Sequence, residues 1–188
     1  LLDNVAIIPD GGTKLRYPSG LVDDNVAVII PDGGTGLWLG TYGGLSHYDP
    51  DTNIFTSYVN NPSSTASLSE NRVVSLYLDQ SQDVLWIGTW GGGLNRLDLR
   101  DSSSNFPNLA SFTRYRYHSN DPTSLSEDSV WAILGNADGS LWLGTQSGHN
   151  WGLPGSSYPH TQGRTPPLTP GEFFRPPPLS CLMALLFC

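Results

Sequence analysis

Cysteine is almost missing from this sequence. Only Cys181 and Cys188 occur among 188 residues, both close to the C-terminal end. Two thiols so placed form no disulfide framework and no paired ligand spacing for zinc, and no metal site is expected. Charge is also scarce, at 14% of residues, and it is lopsided: 9 Lys and Arg stand against 17 Asp and Glu. A net charge of -8 sets nucleic acid and anionic membrane surfaces aside as partners. Long apolar runs are missing as well. The stretch from Leu179 to Cys188 is about half the ~20 residues that a bilayer span requires. No membrane segment is therefore expected in this chain, and any anchor is expected outside it. The opening Leu1-Leu2-Asp3-Asn4 lacks the basic and apolar regions of a signal peptide.

Glycine and aromatic residues are plentiful, with 21 Gly and 11% Phe, Trp and Tyr. Together with sparse charge, this suits many short strands joined by tight turns. Internal repetition supports that reading. Leu37-Trp38-Leu39-Gly40-Thr41 returns as Leu85-Trp86-Ile87-Gly88-Thr89 and as Leu141-Trp142-Leu143-Gly144-Thr145. Each copy follows a β-branched or apolar run (Val26 to Ile30, Val73 to Asp79, Val130 to Leu134) and an Asp-, Asn- or Gly-bearing turn. Such turn residues tolerate positive φ and mark hairpins. A glycine turn follows the first two copies, then a third run (Leu45 to Asp49, Leu94 to Asp98) and a fourth (Phe55 to Tyr58, Phe112 to Tyr115).

Four short strands in each unit of roughly 40 to 50 residues are the signature of a β-propeller blade. Alternation along the repeated pentapeptide puts Trp38 and Gly40 on one face and Leu37, Leu39 and Thr41 on the other. A large ring beside a residue with no side chain points to close stacking of one sheet on the next. The expected fold is all-β: an incomplete propeller of about three four-stranded antiparallel blades over residues 23–148, with a degenerate partial blade at 1–22.

The pattern frays at both ends. Asp3 to Thr13 nearly repeats Asp24 to Thr35, but Leu15-Arg16-Tyr17 follows at once and the Trp strand is absent. Residues 149–188 form an irregular tail, and 154–178 hold eight of the fifteen prolines. That density excludes central strands and favours an extended linker. An abrupt change of character inside a repeat also suits a slip of reading frame after Gly148. Three or so blades cannot close a ring, so apolar faces and strand edges are expected to be exposed, with marginal stability or aggregation as the result.

The unit from Ser67 to Asp98 resembles the two-component regulator propeller repeat, as does the loop Asn120-Asp121-Pro122-Thr123-Ser124-Leu125-Ser126. The resemblance covers roughly residues 24 to 148. It implies the ligand-sensing input region of a bacterial two-component system, extracellular or periplasmic. Implied partners are a glycan or another small molecule, the remaining blades, and the kinase portion of a longer protein. A polysaccharide-cleaving propeller enzyme and a secreted adhesion or scaffold propeller are the alternatives.

No catalytic residue and no cofactor is expected. His47, His118, His149 and His160 show no ligand spacing, and His47 is expected as an exposed third-strand side chain. Asp49 and Asp98 end equivalent strands and are expected to satisfy turn amides. Propeller geometry gathers the loops after the second and fourth strands on one face around the axis. There Tyr42, Trp90, Gln146, Glu70, Asn71, Arg72 and Asp128 are the candidate ligand contacts. Exposed aromatics beside hydrogen-bonding groups suit sugar rings, which offer an apolar face and hydroxyls.

Overall fold

The computed structural model describes residues 14–17, 20–100, 110–121, 124–137 and 139–152. Every regular element among them is a β-strand. The first blade holds β2 (Val26–Pro31), β3 (Leu37–Thr41), β4 (Leu45–Asp49) and β5 (Ile54–Tyr58) as an antiparallel meander. The second holds β6 (Val73–Asp79), β7 (Val84–Thr89), β8 (Leu94–Asp98) and β9 (Phe112–Tyr115) in the same order. The third holds β10 (Val130–Gly135), β11 (Leu141–Thr145) and β12 (Gly148–Gly152). Residues 149–152, expected in the irregular tail after Gly148, continue the blade as part of β12, paired in register with β11. The blade's fourth strand and the remainder of the Pro-rich tail lie outside the described residues. So do the insertion centred on Ser102-Ser103-Ser104-Asn105 and residues 1–13 of the expected degenerate blade. Within that N-terminal region, β1 (Lys14–Tyr17) pairs antiparallel with β5 and extends the first blade to five strands. It stands in no separate blade.

The innermost strands sit side by side, β2 against β6 and β6 against β10. This is the radial arrangement expected of a propeller. Two apolar clusters fill the gaps between blades. Trp38 and Tyr58 of the first blade meet Leu76, Leu85 and Ile87 of the second. Trp86 and Leu94 of the second meet Ile133, Leu141 and Leu143 of the third.

Each position of the repeated pentapeptide has its own task. The Trp fills the gap to the following blade. The Gly lets that blade approach: a Cβ on Gly40 would lie 2.6 Å from Val73 Cγ1, and one on Gly88 would lie 2.5 Å from the carbonyl oxygen of Val130. Across the second gap, Ser75 Oγ donates to that same carbonyl at 2.9 Å. The Thr closes the next turn, its hydroxyl donating at 2.8 Å to Gly44 O, Gly93 O and Gly148 O in the three blades. Trp38, Trp86, Gly40, Gly88, Thr41, Thr89 and Thr145 carry out these tasks among the described residues, while Trp142 and Gly144 face no described blade.

Asp49 and Asp98 hold turn amides, accepting from the N–H of Asp51 at 2.9 Å and of Arg100 at 3.1 Å. His47 departs from expectation. It is half-buried, packed on Trp38 with ring centroids 4.4 Å apart, and its Nε2 lies 2.9 Å from Asp32 Oδ2. The cause is register: His47 lies directly opposite Trp38, so the indole covers it.

Candidate functional site

The turns after β3 and β7 and the segments leading into β6 and β10 meet at one end of the sheets. The N–H of Trp90 donates to Arg72 O at 2.9 Å, and the N–H groups of Gly91 and Gly93 both donate to Asp128 O, at 3.1 and 2.7 Å. The loop of the second blade is thereby tied to the entry of its own blade and to that of the third.

Three aromatic side chains from three successive blades emerge here. Tyr42, Trp90 and Trp131 are 43%, 38% and 42% exposed. Trp90 is the middle member, with its ring centroid 6.4 Å from Tyr42, edge-on, and 5.2 Å from Trp131, tilted. The Arg72 guanidinium carbon stands 4.8 Å from the Trp90 centroid, a cation–π distance. Glu70 Oε1 lies 3.7 Å from Arg72 Nε and accepts the N–H of Asn71 at 3.1 Å. The row is ridged, with interplanar angles of 74° and 52°. It offers single ring faces, each flanked by polar groups, and no continuous flat platform.

Tyr42, Trp90, Arg72 and Glu70 are therefore brought together. Asn71 and Asp128 are engaged by the scaffold. Asn71 Oδ1 accepts the N–H of Asn60 at 2.6 Å, and Asp128 Oδ1 accepts the N–H of Tyr117 at 2.7 Å. Their shared position caps the same loop in successive blades. Gln146 occupies the place of Trp90 in the third blade and is exposed. Trp131 is the residue that sequence reasoning missed. It sits at the β-bulge between Val130 and Ala132, in the position of Ala27 and Val74. A bulge re-aims one side chain out of the strand's alternation. The available signal was the large residue at a place where the other repeats carry small or branched ones.

Among the described residues, no group of three or more His, Cys, Asp or Glu could hold a metal ion. No helix among them is long and apolar enough to cross a membrane.

Comparison with known proteins bears on this arrangement. The family described as "two component regulator propeller" matches residues 67–91 and 124–147. The extracellular domain of a hybrid two component system from B. thetaiotaomicron superposes with a TM-score of 0.59. It is 28% identical over 72% of this chain and 18% of that chain. The extracellular domain of a one component system from the same organism is 21% identical over 70% of this chain and 22% of that chain, with a TM-score of 0.36. The chain thus spans about a fifth of the length of these structures. No curated protein matches it.

Proposed function

The chain carries two component regulator propeller repeats, and on that premise we propose that it is a ligand-sensing segment of a two-component sensor's extracellular or periplasmic input region. The remaining blades and the kinase portion belong to a longer protein. The ligand is a glycan or a fragment of one, held at the loop end of the blades.

One observation carries this reading. Tyr42, Trp90 and Trp131 share an exposed row to which each blade contributes one ring. A buried aromatic row would serve packing alone. Exposed rings keep an unused apolar face, and a pyranose has an apolar face to set on it. Arg72 supplies hydrogen-bond donors beside the rings. The extracellular origin of the 0.59 superposition supports the location. The function is binding, followed by transmission of the bound state through the blades.

The full chain titrated against a panel of oligosaccharides, read by tryptophan fluorescence and calorimetry, tests the proposal. Trp90→Ala and Trp131→Ala should each weaken binding about tenfold or more, equivalent to roughly 1.4 kcal/mol. Saccharides that bind both variants as well as the native chain would refute the site. Release of a cleaved product from any bound saccharide would favour a polysaccharide-cleaving enzyme.

A further inference from the structure

Three aligned repeats separate the residues that the architecture needs from those it does not. Val26, Val73 and Val130 pair with Thr41, Thr89 and Thr145, so the blades align position by position at their loop end. The residue before each valine is Asn25, Arg72 or Ser129. In the first two blades its carbonyl accepts the same turn amide, from Tyr42 at 3.0 Å and from Trp90 at 2.9 Å. That bond uses backbone atoms alone and prescribes no side chain, yet the second blade places a cation there. The residue after each valine is Ala27, Val74 or Trp131, and only the third blade places a ring. The two departures meet at Trp90. The Arg72 guanidinium lies 4.8 Å from its ring centroid and the Trp131 ring 5.2 Å. Neither indole belongs to the apolar clusters between the blades.

Arg72 is held in place without being used up. Its side chain is 45% exposed, and its Nε lies 3.7 Å from Glu70 Oε1, beyond hydrogen-bond range. That oxygen is taken by the amides of Asn71 at 3.1 Å and Arg72 at 3.4 Å. Among the described residues, no acceptor meets the remaining guanidinium N–H groups. Such a planar fork matches a carboxylate, two donors to two oxygens. Asp23 and Asp128, at the same end, are engaged by the amides of Asn25 and Tyr117, each at 2.7 Å. Asp24 and Glu127 add negative charge in the same entry segments, and the whole chain carries -8. A densely charged polyanion is repelled by such a surface, so the fork suits a single acid group on an otherwise neutral sugar chain.

Resting on the saccharide reading above, we propose that Arg72 sets the ligand class: the bound sugar is a uronic acid, with its carboxylate on the Arg72 fork. Arg72 lies over the Trp90 ring, so the apolar face of the sugar rests on Trp131. A neutral hexose has the apolar face and no acid group for the fork.

Matched pairs of saccharides test this. Trimers of galacturonate, mannuronate and glucuronate are each compared with their methyl esters by calorimetry on the full chain. Esterification removes the charge and keeps the sugar. The native chain should bind at least one acid about tenfold more tightly than its ester, the scale of a hydrogen bond to a charged group. In Arg72→Gln that ratio should fall to about one, with ester affinity unchanged. Arg72→Lys keeps the charge without the fork and should fall between the two. Trp131→Ala should weaken acid and ester alike. A native ratio near one, or an acid preference that survives Arg72→Gln, would overturn the uronate assignment and leave the saccharide site standing. So would a densely sulfated heparin oligosaccharide that binds more tightly than every uronate. Failure of every acid and ester, and of neutral oligosaccharides too, would overturn both.

Discussion

The first and third blades contain the same five residues in the same order, and the two copies are buried differently. In Leu37–Thr41, Trp38, Leu39, Gly40 and Thr41 are buried and Leu37 is only partly so. In Leu141–Thr145, Leu141 and Leu143 are buried while Trp142, Gly144 and Thr145 are partly exposed. The pentapeptide determines which side chains share a face. The neighbouring blade determines whether the Trp and Gly of their shared face are dry. The first copy has a blade against its Trp face and the third has one against its Leu face, so a single sequence shows both halves of the same contact.

The contrast is sharpest for tryptophan. Trp38→Ala should cost about 3–5 kcal/mol, the range for emptying a filled aromatic site. Trp142→Ala should cost about 1–2 kcal/mol, because its ring has already kept contact with water. Urea unfolding of the two variants beside the native chain measures both. Equal losses would mean that Trp142 is covered as fully as Trp38. Glycine gives the next effect. Gly88→Ala forces a methyl group onto Ser75 Oγ and Val130 O and should cost about 1–3 kcal/mol. Among the described residues, Gly144→Ala meets only Ala132 and should cost less than about 1 kcal/mol.

Blade order, strand positions and the direction of Trp38 and Gly40 were legible in the sequence because they rest on local alternation and on spacing repeated three times. What escaped it depends on contacts distant in sequence. His47 is drawn in by its cross-strand partner Trp38 and by Asp32, fifteen residues away. Asn95 and Asn150 are buried and accept the N–H groups of Ser69 and Ser126, each at 2.9 Å, tying the entry loop to the third strand. The first blade carries Ser46 in that place, bonded at 2.8 Å to Ser57, so no common residue type marks the position. At the candidate site, the residue after each pentapeptide was legible by position. Asn71 and Asp128 were legible as loop residues, but their capping of Asn60 and Tyr117 was not. Trp131 was hidden because a bulge breaks the alternation from which side-chain direction is read.

The threonine that ends each pentapeptide separates the blades by a smaller amount. Thr89 is fully buried and its hydroxyl donates to Gly93 O. Thr89→Val removes one of the two bonds that carbonyl accepts, the Thr89 N–H at 3.1 Å remaining, for about 1 kcal/mol. Thr145 makes the same bond in a wetter place. Water can replace the lost donor there, and Thr145→Val should cost about half as much or less. A matched loss in both variants, read by the same unfolding experiment, would mean that water does not reach the third-blade turn.

The smallest effect lies in acid and contrasts the first two blades. Burial tends to raise the Asp32 pKa. Its bond with His47 and the amides of Gly34 and Gly36 outweigh that and hold it below the ordinary value of 3.8. Asp98 is likewise pushed up by burial and brought lower on balance, by the Arg100 amide and the guanidinium groups of Arg96 and Arg100. A carboxylate whose pKa falls on folding stabilises the fold above its unfolded pKa, and that contribution fades as pH drops through the folded value. Asp32→Asn and Asp98→Asn should therefore be less stable than the native chain above about pH 4, with the gap closing on further acidification. The two differ in what holds the charge. Asp98 is served by two guanidinium groups and one amide, and Asp32 by one imidazole and two amides. Urea midpoints at three pH values below about 5 test this closing gap, and a gap that stays constant on acidification would mean that folding does not lower these carboxyl pKa values.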